Sequence, residues 1–258
     1  MGDINIMNNE LEFYNEVKDW DFSKIKYKEE SLTNWDMYDI LSKKSTKNSY
    51  ILDLGTGGGE KLLSNFPKAK RIIGTDLSAE MIKTAQCNLE KSKRRNIEFK
   101  VMDNLKMDFE NDYFDIIVAR HTRIDTKQIY RCLKKNGILL VRGVDQLDCF
   151  ELKKIYGKGQ AYNDIKPISH IDYENILEAG FRDVELVPIH IREYYETEND
   201  LIALLLKTPI LQNFSEAKDS EIVNNKLDFS LLNKYIEKHK TGKGILLIRR
   251  YYGIVAYK

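Results

Sequence analysis

Between residues 49 and 145, short runs of apolar and β-branched residues alternate with segments in which apolar residues recur at a helical period. The runs are apolar at consecutive positions, which is typical of strands buried on both faces of a parallel sheet. We predict strands at 50–54, 71–74, 97–101, 114–119 and 137–141, and helices at 61–65, 79–93 and 126–133. The repeated order of strand, helix and strand indicates an α/β fold with a doubly wound, mostly parallel sheet.

The chain before residue 49 has a helical pattern instead. Apolar residues recur at three-residue steps in two stripes, Leu11, Tyr14, Val17 and Trp20, and then Leu32, Trp35, Tyr38 and Leu41. Each stripe predicts the apolar face of an amphipathic helix. We therefore expect N-terminal helices up to about residue 48.

After residue 144 the pattern is weaker. It predicts helices at 173–177, 199–207 and 228–239 and strands at 181–191 and 245–257, with Gly253 as a bend or bulge in the last strand. Pro209 should end the second of these helices, because proline cannot continue the hydrogen-bond ladder. The segment from about 196 to 240 is thus predicted to be a helical insertion between two late strands.

Composition and charge narrow the class of protein. The chain has 258 residues, with 41 Lys and Arg against 40 Asp and Glu, and 42% of its residues are hydrophobic. This balance excludes a disordered chain and gives no overall electrostatic attraction to nucleic acid. Residues 1–10 are polar, and no apolar run approaches the roughly 18 residues that span a bilayer, so we expect a cytoplasmic protein.

The cysteines are few and widely spaced. Cys87, Cys132 and Cys149 form no CxxC pair and lack a histidine at metal-ligand spacing. We therefore expect buried free thiols, and neither a disulfide framework nor a metal site.

The most informative segment is a glycine-rich turn directly after the first strand of the predicted sheet. Residues 51–60 read Ile-Leu-Asp-Leu-Gly-Thr-Gly-Gly-Gly-Glu. The dinucleotide motif G-x-G-x-x-G requires glycine at position 60, where this chain has Glu60, and no Gly-Lys-Ser/Thr follows to make a P-loop. A structural turn without a ligand is the remaining alternative.

The spacing of Asp53, Gly55, Gly57 and Gly59 resembles motif I of the class I S-adenosylmethionine-dependent methyltransferases. The resemblance implies that the turn, with Thr56, contacts the amino-acid end of the cofactor S-adenosyl-L-methionine. It also implies that Asp53 interacts with the cofactor's ammonium group, often through water, and that the fold is a Rossmann-like sheet of seven strands.

A second motif resembles the same family. Asp76 ends the strand that follows the turn, where a carboxylate can accept hydrogen bonds from both hydroxyls of a ribose; alternatively, it caps the next helix beside Ser78. In the family pattern, Leu77 and Met81 line the adenine slot.

Two more motifs follow in the family's order. Asp103 with Asn104 comes after the strand predicted at 97–101, where the family uses an acidic residue to accept from the adenine amine; a solvated loop is the alternative. Residues 111–121 match the next strand of the family, and residues 134–141 match the strand after it. In the latter, Asn136-Gly137 stands where the family commonly has Pro-Gly-Gly.

No catalytic residue is evident, since methyl transfer from a sulfonium needs a base only when the acceptor keeps its proton. His121 follows the fourth predicted strand, where the methyl group is expected, and could act as a base, orient the acceptor or pack against the cofactor. Arg120, Arg123 and Asp125 share this loop and could bind an anionic acceptor or remain solvated. Residues 119–122 lack the proline-containing turn of amino-methylating nucleic-acid enzymes, and no cysteine suits cytosine-C5 chemistry.

These motifs predict a methyltransferase for a small-molecule acceptor, with no membrane partner. We expect one domain over 1–258, with a helical cap at 1–48, a cofactor-binding core at 49–145 and an acceptor-side half at 146–258. Aromatic residues of the cap and the insertion are expected to form a lid that excludes a nucleic-acid duplex, or else to pack in the core. They are Trp20, Tyr27, Trp35, Tyr194 and Tyr195.

Two alternatives stay open. Basic clusters at 91–95, 238–243 and 249–250 fit an RNA methyltransferase, although such runs are commonly solvated helix ends. The other alternative is a protein that binds the cofactor without transferring its methyl group.

Overall fold

The structure is a computed structural model that describes residues 22–214 and 227–258. Its strands are β1 Tyr27–Ser31, β2 Tyr50–Leu54, β3 Arg71–Asp76, β4 Ile97–Val101, β5 Phe114–Arg120, β6 Leu133–Val144, β7 Arg182–Tyr195, β8 Lys240–Thr241 and β9 Gly244–Tyr257. Its α-helices are α1 Met37–Lys44, α2 Glu60–Asn65, α3 Ala79–Ser92, α4 Thr126–Cys132, α5 Phe150–Tyr156, α6 Ile168–Glu178, α7 Glu198–Lys207 and α8 Phe229–His239. A 3₁₀ helix, Pro209–Leu211, follows α7.

The alternation of strands and helices predicted for residues 49–145 is confirmed, and β6 is longer than expected at both ends. The late strands β7 and β9 and the late helices α7 and α8 are confirmed as well. Asp228 caps α8 by accepting hydrogen bonds from the N–H groups of Ser230 and Leu231. Helix α5 was not predicted, because it follows Cys149 in a left-handed conformation rather than a side-chain cap.

The prediction of N-terminal helices up to about residue 48 is wrong for residues 27–31. This segment forms β1, which pairs antiparallel with β7 and aligns Tyr27 with Tyr195 and Ser31 with Ile191. Three of its five residues are charged, as suits an edge strand, and its partner lies far along the chain. The helix itself is confined to α1, and the stripe ending at Trp20 lies outside the described residues.

The described strands form one nine-stranded sheet rather than the expected seven-stranded one. Their order is β1-β7-β9-β6-β5-β2-β3-β4, and β8 pairs with β9. The pairs β6/β5, β5/β2, β2/β3 and β3/β4 are parallel, whereas β1/β7 and β8/β9 are antiparallel. The sequence pattern missed β1 because it is polar and β8 because it has two residues.

Contacts divide the chain into two compact units. The parallel-sheet unit comprises residues 35–143, 169–187 and 252–258. Its core contains the apolar residues of β2–β6 together with Met37 and Leu41 from α1. Trp35 packs so closely on Gly253 that a Cβ there would lie 2.5 Å from the indole ring, which explains a glycine in the middle of β9.

The helical unit comprises the described residues among 1–34, 144–168 and 188–251. Helices α5, α7 and α8 supply most of its apolar core. Within it, Arg249 is buried between two buried carboxylates, with Nε 3.0 Å from Asp148 Oδ1 and Nη1 3.3 Å from Glu193 Oε2. Asp148 also accepts a hydrogen bond from the backbone N–H of Arg250, and Glu193 accepts one from the hydroxyl of Tyr195.

Every helix in the described part of the chain is too short or too polar to cross a bilayer.

Candidate functional site

The glycine-rich turn joins β2 to α2 in a left-handed backbone conformation. Gly55, Gly57 and Gly59 have φ angles of 71°, 57° and 77°, a region that residues with a Cβ rarely adopt. A Cβ on Gly55 would also lie 2.6 Å from Cβ of Thr122, and one on Gly59 would lie 2.8 Å from Cζ of Phe99. Backbone conformation therefore favours glycine at all three positions, and packing also requires it at Gly55 and Gly59.

Asp53 lies near the carboxyl end of β2, and its side chain is buried. Burial raises the pKa of this carboxyl from 3.8 to about 7, while the guanidinium of Arg120 acts in the opposite direction. A carboxylate with a pKa near neutrality is poised to gain from a cationic ligand.

Asp76 connects the end of β3 to the turn. Its Oδ2 accepts a hydrogen bond from the N–H of Gly57 at 2.9 Å, and its Oδ1 accepts one from the N–H of Ser78 at 2.9 Å. Helix α3 is capped by Ser78, whose hydroxyl accepts from the N–H of Met81, so Asp76 is not the cap. Burial raises the pKa of Asp76, and each of its oxygens keeps a second lone pair for a ligand hydroxyl.

The predicted adenine-lining residues differ in exposure. Leu77 is 39% exposed beside Asp76, whereas Met81 is buried in the first turn of α3. Asp103 is half-buried, and its Oδ1 accepts a hydrogen bond from the N–H of Leu105 at 2.9 Å. The hydrogen bond from Met102 N–H to the carbonyl of Asp76 joins the ends of β3 and β4.

Asn104 connects strand β3 to the loop that follows β5. Its Nδ2 donates to the hydroxyl of Thr122 at 3.0 Å, and its Oδ1 accepts from the hydroxyl of Thr75 at 3.3 Å. Thr75 and Thr122 were not singled out in the sequence, since their importance depends on strand register. A polar residue such as Thr75 inside an apolar strand was the available signal.

His121 is the first residue after β5 and has a φ of 52°. Its backbone N–H donates to the carbonyl of Arg142 at 2.8 Å. The following residue, Thr122, packs on Gly55, so the loop carrying His121 lies against the glycine-rich turn. Which of its three proposed roles His121 has stays a prediction.

The sequence reasoning also missed residues that support the turn. Asn88 on α3 donates to the carbonyl of Gly58 at 2.9 Å and to Glu60 at 3.3 Å. The ring of Phe99 lies against both Gly59 and Gly74, where added Cβ atoms would approach within 2.8 and 2.7 Å. Gly74 in the middle of β3 was the signal for this close packing.

Tyr38 and Arg142 were not predicted as site residues either. Arg142 on β6 is aligned with Arg120 on β5, at the carboxyl ends of two parallel strands. Tyr38 on α1 is largely buried, which raises the pKa of its hydroxyl to about 12, and the charges of Arg120, Asp53 and Arg142 also act on it. These four side chains therefore lie close to one another.

The strand ends thus offer groups suited to an adenosyl sulfonium cofactor. The buried carboxylate of Asp53 suits an ammonium group, the turn at residues 55–59 keeps Cβ atoms away at its three left-handed glycines, and Asp76 suits a vicinal diol. All of these groups belong to the parallel-sheet unit.

Comparisons with known proteins agree with this arrangement. A family described as a methyltransferase domain matches residues 45–180. The uncharacterized methyltransferase YcgJ of Bacillus subtilis is 29% identical over 98 residues, which is 35% of this chain and 39% of that protein. Demethylmenaquinone methyltransferase of Lactococcus lactis is 30% identical over 97 residues, which is 34% of this chain and 38% of that protein. The match therefore spans less than two thirds of the length of these curated relatives.

Solved structures show the same fold. YcgJ superimposes with a TM-score of 0.53 at 16% identity, over 86% of this chain and 97% of that one. Phosphoethanolamine N-methyltransferase 2 of Haemonchus contortus, in complex with S-adenosyl-L-methionine, superimposes with a TM-score of 0.51 at 20% identity, over 96% of this chain and 56% of that one.

The fold is that of the class I S-adenosylmethionine-dependent methyltransferases. Since the family match covers more than half of its residues, the chain belongs to the methyltransferase domain family.

Proposed function

We propose that the chain is an S-adenosyl-L-methionine-dependent methyltransferase that acts on a small-molecule acceptor. The observation that carries this proposal is the 2.9 Å hydrogen bond from Gly57 N–H to Asp76, which joins the glycine-rich turn to the carboxylate of the next strand. With Asp53 buried beside the turn, the carboxyl ends of β2 and β3 present groups for an ammonium, an amino-acid chain and a ribose diol.

Each predicted residue has a role in this proposal. Asp53 binds the ammonium directly or through water, and Asp76 accepts from the ribose hydroxyls. Leu77 packs against the adenine, and Asp103 accepts from its amine. Met81 lines the same slot from the first turn of α3, while Asn104 holds the loop after β5 against β3.

The cofactor, when bound, supplies an electrophilic methyl group on a sulfonium. Asp53, the turn at residues 55–59 and Asp76 would hold the cofactor, whose methyl carbon would be open to in-line displacement by the acceptor atom. Positioning of the two reactants supplies much of the rate in such a displacement. His121 is the candidate base for an acceptor that must lose a proton.

Cofactor binding is tested by calorimetry with S-adenosylhomocysteine. We expect Asp76→Ala to weaken binding by about 10–150-fold, the equivalent of a lost charged hydrogen-bond pair. Asp108→Ala is the matched control, because Asp108 is exposed and should leave the affinity unchanged. Binding of NAD together with no response to S-adenosylhomocysteine contradicts the proposal.

The acceptor class is tested with methyl-labelled cofactor and fractions of a bacterial extract. We expect label in the low-molecular-mass fraction rather than in RNA or protein. Incorporation into RNA that falls steeply with salt would favour the RNA alternative.

One contact counts against that alternative. The basic cluster at 91–95 contains Arg94, whose guanidinium donates to the carbonyls of Leu63, Phe66 and Pro67 at 3.3, 2.9 and 3.1 Å. Arg94 therefore serves to hold the end of α2, and its donors are not directed at a phosphate backbone.

A further inference from the structure

Two arginines stand side by side at the carboxyl ends of β5 and β6. The parallel register aligns Arg120 with Arg142, and it aligns Asp53 on β2 with Val118, two residues before Arg120. Because side chains alternate between the faces of a strand, Asp53, Arg120 and Arg142 point to the same face of the sheet. This is the face covered by α1, whose Met37 and Leu41 pack with Val118 and Leu140.

The side chain of Arg120 is only partly satisfied by the protein. Its Nε is inaccessible to solvent, and among the described residues no acceptor lies within hydrogen-bond distance of it. A buried donor without an acceptor costs about 1–3 kcal/mol, so such groups are commonly partners of a ligand.

The charges of both arginines and of one buried carboxylate act at this place. Asp53 acts on Tyr38 together with Arg120 and Arg142, and Arg120 also acts on Asp53 itself. Asp36 also acts on Tyr38, but it is exposed and its carboxylate already accepts from the N–H groups of Tyr38 and Asp39. The unsatisfied Nε–H of Arg120, beside the aligned guanidinium of Arg142, is the donor that an anionic group would bind best.

The strand order separates this cluster from the ribose and adenine positions. Asp76 and Asp103 follow β3 and β4, on one side of β2, whereas Arg120 and Arg142 lie on β5 and β6, on the other side. With the cofactor's ribose at β3, the space over β5 and β6 belongs to the acceptor.

We propose that Arg120 and Arg142 together bind an acidic group, a carboxylate or a phosphate, of the methyl acceptor. This inference rests on the proposed function and adds the substrate class to it. Two neighbouring guanidinium groups suit such anions, because each presents a planar set of N–H donors that matches two oxygens. Arg120, with its unsatisfied Nε–H, is the principal contact, and Arg142 is the second.

The direct test uses the complex with S-adenosylhomocysteine and two probes, malonate for a carboxylate and inorganic phosphate. In arginine Nε–Hε NMR spectra, we expect the Arg120 signal to shift with saturation on addition of a probe, while choline chloride at equal ionic strength leaves it in place. Arg120→Lys identifies the signal.

Matched variants then measure the contribution of each arginine. Arg120→Gln and Arg142→Gln should weaken probe binding about tenfold or more, as expected for loss of a charge-assisted hydrogen bond. Arg95→Gln, the same change at an exposed residue before β4, should leave it unchanged. Equal probe affinity in Arg120→Gln and Arg95→Gln overturns the proposal.

Two further measurements separate the possible failures. If Arg120→Gln weakens binding of S-adenosylhomocysteine but not of methylthioadenosine, the arginine binds the cofactor's carboxylate and the acceptor assignment is wrong. If the unmodified chain does not bind S-adenosylhomocysteine at all, the proposed function itself fails. Labelled methyl transfer to small acids but not to their primary amides supports the carboxylate source, and transfer to phosphate monoesters alone supports the phosphate source.

Discussion

In the helical unit, the buried guanidinium of Arg249 contacts a carboxylate on each side, and both carboxylates receive further hydrogen bonds. In the parallel-sheet unit, the carboxyl of Asp53 is buried as deeply, yet burial raises its pKa to about 7. Where the protein itself supplies all the partners of a buried charge, removing one partner lowers stability, because the other charge stays buried without compensation. A buried charge that the protein satisfies incompletely is a candidate for ligand binding.

Replacement of Arg249 should have the largest effect on stability. Arg249→Met leaves the carboxylates of Asp148 and Glu193 facing each other without a cation, so we expect a loss of about 3–5 kcal/mol in the free energy of unfolding. Chemical denaturation followed by circular dichroism measures it. Arg192→Met is the control in the same unit, because Arg192 makes only an exposed 4.0 Å pair with Glu30 and should cost less than about 1 kcal/mol. Similar losses in both variants would show that the buried ion pairs of Arg249 contribute no more to stability than an exposed pair does.

Asp53→Asn should have opposite effects on cofactor binding and on the stability of the fold. Between pH 4 and pH 7, the folded chain keeps a proton on Asp53 that the unfolded chain has lost, since the folded pKa is about 7 against 3.8. This group therefore lowers stability as the pH rises through that range, and at pH 8 the variant without cofactor should be more stable by about 1–3 kcal/mol. The same variant should bind S-adenosylhomocysteine at least about tenfold more weakly.

The pH dependence of binding provides the check on this prediction. In the unmodified chain, affinity for S-adenosylhomocysteine should decrease as the pH falls through about 7, because the neutral carboxyl no longer attracts the ammonium. Asp172→Asn is the matched control: Asp172 is half-buried, with a pKa that desolvation raises to about 6, but it accepts from Tyr252 and lies outside the site. A pH-independent affinity in the unmodified chain contradicts the role of Asp53.

Substitution of one glycine in each unit allows the cost of backbone strain to be compared between the two units. Gly55 and Gly157 both have left-handed φ angles, 71° and 64°, but a Cβ on Gly55 would collide with Thr122, whereas a Cβ on Gly157 meets nothing within 4 Å. We expect Gly157→Ala to cost about 1 kcal/mol, the strain alone, and Gly55→Ala to cost at least about 1 kcal/mol more. Thermal unfolding measures both, and only Gly55→Ala should impair cofactor binding.

The smallest effects should come from removing single hydroxyl groups. Tyr195→Phe removes the donor to Glu193, and Thr75→Val removes the bond to Asn104, so each should cost about 0.5–1.5 kcal/mol. Only Thr75→Val should weaken the binding of S-adenosylhomocysteine, by a few-fold, because it loosens the loop of Asn104 beside the glycine-rich turn. If Tyr195→Phe weakens the binding of S-adenosylhomocysteine equally, cofactor binding does not depend on the parallel-sheet unit alone.

Local patterns predicted the parallel strands and the glycine-rich turn well. Buried strands such as β2 and β5 are apolar at nearly every position, and the positions of Gly55, Gly57 and Gly59 follow directly from their backbone angles. Such features depend on neighbours within a few residues, so they can be identified in the sequence.

Features that depend on distant pairing could not be predicted. Strand β1 is polar and pairs with residues more than 150 positions away, and the alignment of Arg120 with Arg142 follows from the register of two strands. The same holds for Asn104, which was assigned beside adenine and is engaged with Thr75 and Thr122. Residue spacing predicted carboxylates at the strand ends, but not which loops Asn104 joins.

The thiols offer a means of following the two units separately. The expectation that all three are buried is wrong for Cys87, which is exposed on α3, whereas Cys132 and Cys149 are buried with raised pKa values. Cys132 belongs to the parallel-sheet unit and Cys149 to the helical unit. After Cys87 is blocked by alkylation of the native chain, the rates at which a second isotopic form of the reagent reaches Cys132 and Cys149 report the opening of each unit independently. Peptide mass spectrometry of one sample can thus reveal whether cofactor slows the opening of one unit or of both.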